Sequence, residues 1–129
     1  MGFFDFLSGS GSPEVQDYWN VLTSEEEADK ILDDTSGLHI IYKHSFSCSI
    51  SVMSHRSIEQ VIPEFTEKAT FSFVDVKKDR PVSQYIAKKT GVQHQSPQII
   101  VLRNGEVFWE GSHGSVTGKA LKEIFDELS

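Results

Sequence analysis

Leu38-His39-Ile40-Ile41-Tyr42-Lys43-His44-Ser45-Phe46-Ser47-Cys48-Ser49-Ile50-Ser51 is the stretch that decides how this chain folds. Its first half is a short apolar run, bounded upstream by Gly37, which reads as a buried strand. A serine-rich loop follows, and at Cys48 or Ser49 the spacing changes to that of a helix. Ile50, Met53, Ser57, Ile58, Val61 and Ile62 fall on one helical face, with Pro63 near the end. A strand that passes through a short loop into a helix is the unit from which α/β domains are built.

The flanking sequence extends the same alternation. Upstream, Val15, Tyr18, Trp19 and Leu22 recur at helical spacing from Pro13 onward, and predict an extra N-terminal helical segment. Thr23 or Ser24 caps a helix that runs to about Asp33. Glu25, Glu26 and Glu27 lie in its first turn, where the helix dipole favours carboxylates. That placement explains the acidic run better than a metal site does. Downstream, Phe71, Phe73, Val74 and Val76 mark a strand, and Arg80-Pro81 opens a helix that Gly91 stops. Residues 98–102 and 106–109 are strands joined by Asn104-Gly105, a strong hairpin signal. A last helix covers residues 117–128, with Ala120, Leu121, Ile124 and Phe125 inward. The order βαβαββα, preceded by helical sequence, predicts a central mixed β-sheet flanked by α-helices, the thioredoxin-like arrangement.

Bulk properties narrow the function class. The 129 residues fit one domain, expected over residues 14–129. Residues 1–13 (an aromatic tip, Phe3-Phe4-Asp5-Phe6-Leu7, and a Gly/Ser stretch) are expected to be a flexible tail. Net charge is -7 and the sequence pI about 5.1, without a basic cluster, so nucleic acid is not an expected partner. No apolar run reaches the roughly 18 residues that cross a bilayer, so no membrane partner is expected either. One cysteine forms no internal disulfide, and an unpaired thiol suits a reducing, cytoplasmic setting.

The chemistry centres on Cys48. A helix N-terminus carries partial positive charge and unpaired N–H groups, both of which favour thiolate, the reactive form of cysteine. The plainer reading, an inert packing residue, fits poorly with neighbours Ser45, Ser47, Ser49 and Ser51. Ser51 stands three residues on, where a dithiol C-x-x-C protein has its resolving cysteine. A hydroxyl there bonds a thiolate but releases no mixed disulfide, so an adduct on Cys48 needs a second thiol from outside. Pro97 precedes the strand at residues 98–102. In thioredoxin-like proteins a proline at this point is cis and faces the redox cysteine, so a cis Ser96–Pro97 bond is expected. His44, His94 and His113 fall in loops expected near the cysteine, where a protonated imidazole would lower its pKa; solvated loop histidines are the plainer account. His44-x3-Cys48 supplies too few ligands for zinc, and no metal is expected. Lys43 and Arg103 are candidates to assist an anionic ligand.

The string Tyr42-Lys43-His44-Ser45-Phe46-Ser47-Cys48-Ser49-Ile50-Ser51-Val52-Met53 resembles the bacilliredoxin-C family, the monothiol bacilliredoxins, as do Ser96-Pro97-Gln98 and the closing ββα. The likeness runs from about Ser24 to the C-terminus. It implies a thiol–disulfide exchange protein in which Cys48 attacks a mixed disulfide between a client protein and bacillithiol, or a similar low-molecular-weight thiol. That thiol is then a co-substrate and the thiol-modified clients are the partners. Cys48 and Ser51 would carry the catalysis, and His44, Ser47, Ser49, Ser96 and Pro97 would line the substrate. Ser49 departs from the family pattern, which usually has proline there. Two other readings stay open: a cluster-binding protein like the monothiol glutaredoxins, whose Cys-Gly-Phe-Ser motif is absent, and a redox-silent interaction module.

Overall fold

The computed structural model describes residues 16–128. Among the described residues the strands and α-helices follow in the order β1 (Trp19–Val21), α1 (Glu25–Leu32), β2 (Leu38–His44), α2 (Ser49–Glu59), β3 (Thr70–Asp75), α3 (Arg80–Thr90), β4 (Gln98–Arg103), β5 (Glu106–Ser112) and α4 (Gly118–Leu128). The strands form one mixed sheet in the order β1-β3-β2-β4-β5. β2 lies at its centre, parallel to β3 and antiparallel to β4. Asn104 and Gly105 both take positive φ (54° and 85°), the conformation a two-residue hairpin demands.

Side chains alternate across β2, and the two faces build separate cores. Ile40 and Tyr42 join Ile58 of α2 and Leu121, Ile124 and Phe125 of α4 on one face. Ile41 joins Ala28 of α1 and Val82 and Ile86 of α3 on the other. Each buried aliphatic side chain contributes roughly 1.5–3 kcal/mol, so the sheet is held firmly from both sides. α4 is drawn tight against α2 at Gly118, whose N–H donates to Ser57 Oγ (2.8 Å). A Cβ at Gly118 would meet Ser57 O at 2.6 Å, so no larger residue fits there. Ser24 caps α1 by accepting from Glu27 N–H, and Gly91 ends α3 in the left-handed region.

Two sequence expectations are corrected. The helix expected over Tyr18–Leu22 is instead a turn followed by β1, which pairs parallel with β3; Val15 lies outside the described residues, as does the tail expected at 1–13. Trp19 packs in one core and Leu22 in the other, on opposite faces of the sheet. A helix presents residues i and i+3 on the same face, so it cannot make that split, whereas an edge strand does. The buried face of α2 also differs. Ser51, Ser54, His55 and Ile58 point inward, while Ile50 and Met53 are 51% and 70% exposed. Close contact with α4 and the aromatic cluster around Tyr42 favours small and planar side chains on the inner face, and the larger apolar ones turn out.

Candidate active site

β2 ends at His44, and the chain turns through Ser45, Phe46 and Ser47 before α2 begins. Cys48 N–H donates to Ser45 O (3.1 Å) and Cys48 O accepts from Val52 N–H (3.1 Å), which fixes the cysteine as the N-cap of α2. Its backbone is extended (φ −108°, ψ 121°) and its side chain is half-buried. The thiol is held below its ordinary value, first by the Ser51 N–H and then by the Ile50 N–H, both directed at the sulfur. The Ser51 hydroxyl adds the smallest favourable contribution. That hydroxyl is buried and has no partner at full hydrogen-bond geometry. The backbone, more than the serine side chain, stabilises the thiolate.

Pro97 is buried beside the same end of the sheet, because Lys43 pairs with Gln98 across β2 and β4. The Ser96–Pro97 bond is cis, as expected. His113 N–H donates to Pro97 O (2.8 Å) and brings the loop after β5 to the proline. Ser47 and Ser49 are exposed, and Ser96 is half-buried. Ser47 Oγ lies 3.2 Å from Ser45 Oγ.

His113 is exposed, as a solvated loop histidine would be, but His44 and His94 behave otherwise than expected. His44 is buried, its Nδ1 2.7 Å from the Tyr42 hydroxyl. Burial first, and the adjacent His55 second, push its pKa down to about 4, so it is neutral at pH 7 and lends no positive charge to Cys48. His94 is bonded to Ser83 Oγ (2.7 Å) and is likewise lowered, by burial and then by Lys43 and Arg80. Lys43 is fully buried on the α3 side, where Nζ donates to Ser83 O (3.0 Å). Burial lowers it to about 8. Arg103 lies at the other end of β4, paired with Leu38, and stacks over Phe108. Neither cation meets an anion at Cys48, because strand alternation turns Lys43 inward and the antiparallel register carries Arg103 away.

Beneath the loop is a polar cluster that sequence reasoning missed. The Tyr42 hydroxyl donates to Ser51 O (3.1 Å), tying β2 to the first turn of α2. Tyr42 stacks on His55 (5.8 Å, 5°), and His55 Nε2 sits 3.0 Å from Glu59 Oε2. Trp19 Nε1 donates to the same carboxylate oxygen (2.8 Å). Burial alone would raise Glu59, but the bonds from His55, Trp19 and Tyr18 outweigh it and hold the carboxyl low. The i, i+4 spacing of His55 and Glu59 is the sequence signal that marks part of this cluster. Among the described residues no group of three or more His, Cys, Asp or Glu side chains is placed to hold a metal, and no helix is long and apolar enough to cross a membrane.

A thioredoxin-like sheet that presents one cysteine at a helix N-terminus, beside a cis-proline, defines a thiol–disulfide redox protein with a single thiol. The family model for the monothiol bacilliredoxin BrxC matches residues 20–121, and the chain belongs to that family. Among solved structures, a thioredoxin-fold protein assigned as an oxidoreductase is 28% identical, with a TM-score of 0.74, covering 84% of this chain and 94% of that one. Thioredoxins of Fasciola hepatica (18% identity) and Plasmodium falciparum (21%) each superpose with a TM-score of 0.67, covering 85% of this chain and 99% of theirs, and share the fold.

Proposed function

We propose that this protein removes a low-molecular-weight thiol, bacillithiol or a close relative, from mixed disulfides on client proteins. The observation that carries the reading is the Cys48 sulfur under the Ser51 and Ile50 N–H groups in a chain with no second cysteine. The Cys48 thiolate attacks the small thiol's sulfur. The new S–S bond forms as the client's bond breaks, and the client sulfur leaves with the electron pair and takes a proton from solvent. No net oxidation occurs. A second thiolate from outside then frees Cys48, since Ser51 forms no disulfide. Around the sulfur, Ser47, Ser49, Ser96, Pro97 and His44 supply the substrate's surroundings. A reducing cytoplasm is the setting this chemistry fits.

The test is mass spectrometry of the chain after incubation with a bacillithiol-modified client. Transfer of the thiol's mass onto Cys48, lost in Cys48→Ala, is the expected result. An unchanged client and unmodified Cys48 would overturn the reading.

A further inference from the structure

The stretch Phe3-Phe4-Asp5-Phe6-Leu7 sets three phenylalanines and a leucine around one carboxylate, and the transfer chemistry makes no use of it. The fold has a groove of matching character at the far end of the sheet. Cys48 follows the last residue of β2, whereas this groove opens at the first, Leu38. Its volume is about 320 Å³, and Phe125 and Leu128 of α4 complete an apolar floor with Leu38, flanked by Lys68 and Arg103.

The lining holds two cations and no carboxylate. Lys68 Nζ rests over the Phe65 ring (5.8 Å) and the Arg103 guanidinium over Phe108 (5.9 Å). Both side chains are exposed, and neither enters an ion pair among the described residues. In a chain of net charge -7 this is a local reversal of sign beside apolar surface, and it favours an occupant that is both apolar and anionic. Residues 1–15 have that character, with Asp5 and Glu14 but no Lys or Arg.

Reach is also satisfied. Tyr18 lies on the same face of the sheet as the groove: its ring is 6.5 Å from Phe71, which is 6.3 Å from Phe125. Residues 8–17 join the aromatic stretch to Tyr18, and a Gly/Ser-rich connection of that length spans roughly 16–19 Å. That covers the two ring-to-ring steps.

We propose that residues 3–7 dock in this groove of their own chain, with the rings against Leu38, Phe125 and Leu128 and with Asp5 between Lys68 and Arg103. So placed, the segment clasps the start of β2 to the end of α4 and leaves the Cys48 end of the sheet open. The proposal is independent of the transfer reading above.

The experiment places the photo-crosslinker p-benzoylphenylalanine at position 4 of the full chain and maps its crosslinks by mass spectrometry. Crosslinks should fall on α4 or the start of β2, in a product of monomer mass. Lys68→Glu with Arg103→Glu should lower their yield about threefold, the scale of one exposed ion pair, and adding Asp5→Lys should restore it. Raising the salt to about 1 M, which screens exposed charges, should lower the yield of the unsubstituted groove by a similar factor. Iodoacetamide alkylation of Cys48 should keep the same rate throughout, because the docked segment leaves the thiol uncovered. Crosslinks that map elsewhere, groove crosslinks found only at dimer mass, or a yield indifferent to both salt and the charge exchange would each overturn the proposal.

Discussion

Tyr42→Phe removes one oxygen from the middle of the fold and nothing else. The ring keeps its stack on His55, its edge contact with Phe73 and its tilted contact with Trp19, so no cavity larger than a hydroxyl forms. Two contacts disappear, the 2.7 Å bond with His44 Nδ1 and the 3.1 Å bond to Ser51 O. The Ser51 carbonyl keeps its place in the α2 ladder, so its loss is small. His44 fares worse: with Nε2 already unpartnered, both ring nitrogens become stranded in the interior. A stranded buried polar group costs about 1–3 kcal/mol, and we expect a destabilisation of about 2 kcal/mol. Urea unfolding followed by tryptophan fluorescence measures it, Trp19 lying 5.7 Å from the Tyr42 ring. Tyr85→Phe is the comparison, because that half-buried hydroxyl donates to Asp29 (2.6 Å) where water can replace it, and its removal should cost under about 1 kcal/mol. If Tyr42→Phe unfolds at the wild-type midpoint, or costs no more than Tyr85→Phe, the hydroxyl does not anchor the loop and the argument fails.

The remaining predictions concern charge and backbone. The His44 pKa is depressed to about 4 in the fold from 6.5, so its contribution to stability is whole above pH 6.5 and is lost as pH falls toward 4. The loss is about 3 kcal/mol, and the pH slope should be shallower in His44→Asn; because His55, Glu59 and Asp75 face His44, the difference between the two proteins is the quantity to compare. Lys43, depressed to about 8 from 10.5, gives the alkaline counterpart, with stability rising by up to about 3 kcal/mol between those values. Lys43→Met should be the more stable protein at pH 7 and lack that rise; equal urea midpoints at pH 7 would contradict it. Ser49→Pro places a proline at the first helical position, after a Cys48 that already has the extended backbone a following proline requires. It should stabilise the chain by about 0.4–1 kcal/mol and leave the pH profile of Cys48 alkylation in place, since the donors to the sulfur are Ile50 and Ser51. Ser51→Ala should likewise keep most of the lowered thiol pKa, and a return to that of free cysteine would show that the hydroxyl dominates.

Much of the fold was legible because its signals are local. The run at Ile40-Ile41-Tyr42, the Asn104-Gly105 turn, the Ser24 cap and the Gly91 stop each act through a few neighbouring residues. Trp19–Val21 was misread because three residues carry too little periodicity to separate a strand from a helical turn. Their pairing with β3, some fifty residues away in sequence, made the choice. The outward turn of Ile50 and Met53 was hidden for a related reason. Spacing identifies which residues share a helix face, but the neighbouring elements determine which face is buried.

Cys48 shows the same division. By itself, the sequence determined that the chain has one thiol, that a strand precedes it and a helix follows it, and that Ser51 rather than a cysteine stands three residues on. A helix N-terminus exposes its N–H groups wherever it occurs, so that much follows from local order. Only the tertiary structure decided the rest. It made His44 neutral by burying it against His55, carried Lys43 and Arg103 away from the sulfur, and drew Tyr42, Trp19, His55 and Glu59 together under the loop. Charge state and hydrogen-bond partnership depend on what lies within a few ångströms in space, and for these residues those neighbours come from separate elements of the chain.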